Sequence, residues 1–197
     1  MTRQEKALLT KEKIYAQTLN LINEKGYDNV LIEDITQAAG IAKGTFYYYF
    51  KSREQLLYYT FKHVDQYYLE ALEEAKKQAD YPAMIDAFIR SSYKKIESLG
   101  KEVLRAVCVN LSTPESKLAF LDKERGLYLA LEHIIKTGIA NGFISDKRPP
   151  AFYVEKITIM LVGLDNYWVL SEQREGLPDV AADSVHALIK GFANGYH

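Results

Sequence analysis

One cysteine, Cys108, stands in the whole chain. An intramolecular disulfide is therefore impossible, and no zinc site built on clustered cysteines can form. A reducing, cytoplasmic setting is expected. The four histidines, His63, His133, His186 and His197, show no H-E-x-x-H or paired spacing. The glycines form no P-loop, G-x-S-x-G or dinucleotide fingerprint, so no metal and no cofactor is expected. A strong charge of either sign is also missing: the formal net charge is −1, so any polyanion site must be a local patch. Long apolar runs are absent too. The most apolar stretch, ITIMLVGLDNYWVL (157–170), falls short of the ~20 residues that span a bilayer and is interrupted by Asp165 and Asn166. Its N-terminus, MTRQEKALLTKEK, has no apolar core of a secretion signal. Alternating runs long enough for a sheet do not occur. These gaps argue against an enzyme, a membrane protein and a disulfide scaffold.

What is present is helix. The 197 residues, 48% hydrophobic, suffice for a small unit joined to a larger one. Thr10 is the expected cap of a first helix with Ile14, Thr18, Leu21 and Ile22 at helical spacing, ended by Gly26. IEDITQAA (32–39) reads as a second helix stopped by Gly40, and residues 43–50 as a third. Ser52 and Gln55 form an S-x-x-Q capping box for a helix running to about residue 79. Pro82 opens the next helix, closed by Gly100, and 101–111 follows. Thr113, Pro114 and Glu115 stand in the order of cap, first-turn proline and first-turn acid, for a helix reaching Asn141–Gly142. Pro149–Pro150 opens another, ending near Gly176, and Pro178 opens the last. The expected fold is all-α with about nine helices. Residues 1–51 form a three-helix head, and residues 52–197 form a larger helical body.

The densest signal is GIAKGTFYYYFKSREQLL (40–57). On a helix, successive side chains lie about 100° apart, so Tyr47, Tyr48 and Tyr49 span roughly 200° and no single core can take them all. Phe46 and Phe50 share one face and are the expected anchors; Tyr47 and Tyr48 face outward, with Tyr49 at the margin. Ile41 is the expected apolar plug of the turn before the helix, and small Ala38 and Ala39 let the two helices cross closely. Gly44 permits close backbone approach. Thr45 brings a hydroxyl to amides at a helix start, and Lys43, Lys51 and Arg53 supply cations. Helix, glycine-containing turn and helix in succession make a helix-turn-helix whose second helix can enter a DNA groove.

Across roughly residues 10–57, GYDNVLIEDITQAAGIAKGTFYYYFKSREQLL included, the chain resembles the tetracycline-repressor (TetR) family of bacterial transcription regulators. The Ile-x-x-x-Ala-Gly-Ile segment, Gly-Thr-aromatic-Tyr and Lys-Ser-Arg-Glu-x-Leu carry the likeness. The resemblance implies that Thr45, Tyr47, Tyr49, Lys51 and Arg53 hold phosphates. It places Lys43, Gly44, Tyr47 and Tyr48 nearest the base edges and Thr36 beside the DNA backbone. Arg3, Lys6 and Lys11 would form a basic arm or flank. One departure is Leu31, where the family usually has a capping Ser or Thr; Asn29 is the expected substitute.

The resemblance implies a ligand-responsive repressor on a pseudo-palindromic double-stranded operator, released by an unknown small-molecule effector. A DNA-bound protein adaptor without a ligand is the alternative. An effector would alter the tilt of the helix at 53–79. For the effector site the candidates are Cys108, Tyr128, Asp165, Asn166 and Trp168. A carboxylate on an apolar helix needs a partner, and Asp165 with Asn166 meets either a ligand or a dimer mate. Cys108 is either a small buried residue or a thiol sensor. A homodimer is expected through the last two helices, about 150–175 and 178–195. The second of these is rich in small residues: Ala181, Ala182, Ala187, Gly191 and Ala193.

Overall fold

The computed structural model describes residues 1–114, 117, 120–171 and 176–193. Among these residues every regular element is helical, and there are nine α-helices: α1 (Arg3–Lys25), α2 (Ile32–Ala39), α3 (Lys43–Tyr49), α4 (Arg53–Ala75), α5 (Tyr81–Glu97), α6 (Lys101–Asn110), α7 (Gly126–Ala140), α8 (Pro150–Leu170) and α9 (Leu177–Ala193). They fall into two compact units. The first takes Met1–Phe61 with Leu99–Ala119, and the second takes Lys62–Ser98 with Phe120–His197.

In the first unit, the cap of α1 lies eight residues before the expected one. Thr2, not Thr10, caps it: the Glu5 amide donates to Thr2 Oγ1 at 3.2 Å, and the Thr2 amide donates to the Glu5 carboxylate at 2.9 Å. Thr10 lies inside the helix with its hydroxyl on the Lys6 carbonyl. Arg3 and Lys6 are thus helical rather than part of a loose arm, and Lys11 rests over the Tyr59 and Phe50 rings at 4.0 and 5.3 Å. Ile14, Tyr15, Thr18 and Ile22 form the buried stripe of α1. Gly40, at φ 63°, ends α2 in the left-handed region that glycine adopts freely. The Ile41 amide returns to the Thr36 carbonyl at 3.0 Å and fixes the turn before α3. Ile41 itself is half-buried in that turn. Ala39 is buried, whereas Ala38 is exposed, so only one of the two alanines serves the helix crossing. α6 packs on α1, and the Asn23 amide donates to the Leu99 carbonyl at 2.8 Å.

Three other expectations are corrected. Asn29 bonds the Lys25 carbonyl and leaves α2 uncapped by any side-chain acceptor; Leu31, 59% exposed, holds the cap position. What remains of a cap is the reverse half, the Leu31 amide donating to Asp34 at 2.8 Å. Ser52 does accept from the Gln55 amide, but the Gln55 side chain takes the Lys51 amide instead of closing the box. α4 ends at Ala75, short of residue 79.

In the second unit, α9 packs on α5 and α8, and α7 packs on α8 and α5. Phe88, Tyr93, Leu131, Ile135, Tyr153, Ile157 and Phe192 are buried there. Asp80 caps α5 through the Ala83 amide, with Pro82 in its first turn. Pro150 opens α8 as expected, and Leu177 begins α9 just ahead of Pro178. The helix expected from 114 to 141 is broken: turn residues at 121–125 intervene and α7 starts afresh at Gly126. Glu115 lies outside the described residues. α8 stops at Leu170 rather than near Gly176, and residues 172–175, like 194–197, lie outside the described set.

Candidate nucleic-acid interface and effector groove

α3 divides its aromatics sharply. Phe46 is 0% and Phe50 1% exposed, whereas Tyr47 is 47% and Tyr48 77% exposed; Tyr49 is half-buried. The anchors stack on each other at 6.1 Å, and Phe50 meets Tyr59 edge-on at 5.5 Å. On the outer side the Tyr48 and Tyr49 rings meet edge-on at 5.0 Å. This split follows from helix geometry: Phe46 and Phe50 are one turn apart and face the core with Ile35 and Ile14, so the residues between them must turn away. Gly44 is exposed, and a Cβ built there would meet nothing within 4 Å. No neighbour within the protein requires glycine at that position.

The cations around α3 have different surroundings. Lys43 pairs with Glu33 at 2.6 Å, and the ammonium holds that carboxyl below its usual range. Lys51 is exposed beside the outward tyrosines. Arg53 is drawn inward: its guanidinium donates to the Tyr27 carbonyl at 3.0 Å and the Val30 carbonyl at 2.5 Å, and lies 4.8 Å from the Tyr27 ring centre. It ties the start of α4 to the turn ahead of α2. The hydroxyl of Thr36 bonds the Glu33 carbonyl, and Thr45 is half-buried at the start of α3.

The second unit carries an open groove of about 960 Å³. Phe120, Leu121, Phe152, Val154, Ile159 and Val162 give it apolar walls, with Lys123, Tyr128, Glu132 and Glu155 as polar points. Arg148 and Lys156 each lie 5.2 Å from the Phe152 ring centre, so cations flank that ring. Of the five effector candidates read from the sequence, Tyr128 lines this groove and the other four do not. Burial raises the Tyr128 phenol, against a pull from Arg125. Cys108 is half-exposed on α6, in the first unit. Asn166 bonds back to the Val162 carbonyl, and Trp168 is half-buried. Asp165 has a carboxylate oxygen shielded from solvent, and burial pushes its pKa up to about 7 while the Tyr93 hydroxyl pulls the other way. Among the described residues no cluster of three or more His, Cys, Asp or Glu could hold a metal, and no helix is long and apolar enough to cross a membrane.

Sequence reasoning missed the junction of residues 120–132 with α4. Its core is Arg125, whose Nε donates to both Asp65 carboxylate oxygens at 3.1 and 3.0 Å, and whose NH2 nitrogen lies 2.9 Å from one of them. The one available signal was Gly126, a helix breaker within a run read as continuous.

Comparison with known proteins agrees with this architecture. Residues 14–59 match the family model of bacterial regulatory proteins of the tetR family. The chain is 25% identical over 186 residues to the fatty acid metabolism regulator protein of Bacillus subtilis, covering 92% of this chain and 95% of that one. It superposes on the Bacillus subtilis regulator FadR solved with stearoyl-CoA at a TM-score of 0.76 and 22% identity, covering 91% of this chain and 98% of the other. It also superposes on the Thermus thermophilus repressor FadR solved with lauroyl-CoA at a TM-score of 0.70 and 18% identity, covering 92% and 94%.

Proposed function

This chain belongs to the TetR family of bacterial regulatory proteins, and from that premise we propose that it is a homodimeric repressor released from a pseudo-palindromic operator by an amphiphilic effector. One observation carries the DNA-reading assignment: α3 turns Tyr47 and Tyr48 to solvent beside a glycine with open space above it. Tyr48 is turned almost wholly away from the core and Tyr47 touches it through one edge-on contact with Phe46 at 5.5 Å, and an exposed helical glycine allows a backbone to approach closely. Tyr47, Tyr48 and Gly44 then face base edges, with Lys43 exchanging Glu33 for DNA. Thr36, Thr45, Tyr49 and Lys51 hold phosphates. Arg53 contributes to that clamp chiefly by holding the start of α4 in place.

Two heads on one operator need a symmetric partner, with half-sites about 34–36 Å apart. The outer stripe of α8 (Gly163, Tyr167, Leu170) and that of α9 (Ala187, Gly191) are exposed in the single chain and offer a mixed apolar and small-residue surface for a symmetric partner to cover. The effector reading rests on the groove. Its apolar walls suit an acyl chain and its flanking Arg148 and Lys156 suit an anionic head. A long-chain acyl-CoA, the ligand class of the two solved FadR regulators, has both parts.

The test is operator binding by Tyr47→Ala. Specific affinity should fall at least ~10-fold while circular dichroism and melting temperature hold. Unchanged operator affinity would remove α3 as the reader.

A further inference from the structure

Residues 120–132 meet the groove and α4 at the same time. Phe120, Leu121 and Lys123 line the groove ahead of Arg125, and Tyr128 and Glu132 line it after Gly126. Between them, Arg125 and Gly126 are seated on Asp65 of α4. Arg125 is buried and grips the Asp65 carboxylate through two nitrogens. Gly126 lies so close to the α4 backbone that a Cβ would come within 2.9 Å of the Asp65 carbonyl carbon and nearer still to its oxygen. The Arg125 guanidinium also lies 5.5 Å from the ring centre of Phe120, a groove wall. A buried ion pair is poor evidence of stability, because an apolar pair of similar volume usually serves as well or better. Its best-attested use is to fix one arrangement against another.

We propose that Arg125, Gly126 and Asp65 form the joint that transmits groove occupancy to α4. The proposal rests on the reading of the groove as the effector site. A ligand bearing on Phe120 and Tyr128 displaces the segment that carries Arg125 and Gly126. The two-pronged ion pair breaks or holds as a unit, and the close glycine contact leaves no slack to absorb the shift. Asp65 moves with it, and Asp65 lies on α4, the helix that Arg53 begins. The three residues touch no DNA; they are positioning residues, and their signature is a change in coupling rather than in binding.

Two variants of the full chain test this. Asp65→Leu with Arg125→Met removes the ion pair and fills its volume. Ligand-free operator affinity should stay within ~2-fold of wild type, lauroyl-CoA should still bind by calorimetry, and operator release at saturating lauroyl-CoA should drop from ~10-fold or more to below ~2-fold. Release of wild-type size overturns the joint. Gly126→Ala forces the joint apart without a ligand. It should weaken operator binding ~10-fold or more in a chain still folded by circular dichroism, and lauroyl-CoA should add little further. Unchanged operator affinity in that variant overturns the joint whatever the effector is. If lauroyl-CoA fails to bind the wild type, the effector reading falls and Gly126→Ala decides the joint; if Gly126→Ala fails to fold, the double variant decides it.

Discussion

Gly44 is a helical residue with open space around it, and a glycine inside a helix is up to about 1 kcal/mol less stable than alanine. Folding alone would favour alanine there. Gly44→Ala should therefore raise the melting temperature while lowering operator affinity at least ~10-fold, or about 1.4 kcal/mol. A variant improved in both would show that nothing approaches that backbone. The division of Tyr47, Tyr48 and Tyr49 between solvent and core was legible in the sequence, because it needs only the 100° step of a helix and two anchors four residues apart. The employment of Arg53 was not. Its carbonyl acceptors, on Tyr27 and Val30, lie 26 and 23 residues away in the chain, and no local pattern marks a backbone acceptor.

At the level of elements, caps and breaks decide where each helix begins. Proline and glycine signals placed the end of α2 and the starts of α5 and α8 well, since these residues act through their own backbone. The reading failed where a second element set the boundary. The break before α7 exists because Gly126 must meet the α4 backbone, and Asp65 is sixty residues upstream of Arg125. α1 was misjudged for a local reason: the Thr2–Glu5 box lies ahead of the apolar periodicity that was used to place Thr10. Leu31 marks a helix start that lacks its acceptor. Leu31→Ser should stabilise the protein by roughly 0.5–2 kcal/mol in denaturant melts, because a hydroxyl there can accept from the Asp34 amide. No change in the unfolding midpoint would mean that the α2 amides are already satisfied another way.

For the molecule as a whole, the buried Asp165 carboxyl sets a pH response. Its folded pKa lies above the ordinary carboxylate value of about 4, reaching about 7. The folded state thus binds the extra proton between those limits, so stability falls as pH rises from about 4 to about 7. Asp165→Asn should remove that fall: melting temperatures of variant and wild type should converge toward about pH 4 and separate in the variant's favour at about pH 8. Parallel curves would show that Asp165 is ionised and satisfied. The dimer surface has a test of its own. Gly163 and Gly191 have nothing within 4 Å of a built Cβ, so tryptophan at both should leave the subunit folded while blocking a partner. Sedimentation should then report a monomer with weakened affinity for the full operator, and a persisting dimer would move the interface elsewhere.

The first compact unit is assembled from two stretches of chain, Met1–Phe61 and Leu99–Ala119, with α6 packed on α1 and Asn23 bonded to the Leu99 carbonyl. This has a consequence in time, as the chain is made. At 5–20 residues per second, α6 leaves the ribosome roughly 2–10 s after Phe61 does. Throughout that interval α1 has α2 but lacks α6, while much of α4 and α5 is already available to fold. The first unit is therefore completed only once the chain has passed its midpoint, when α4 and α5 of the second unit are already made.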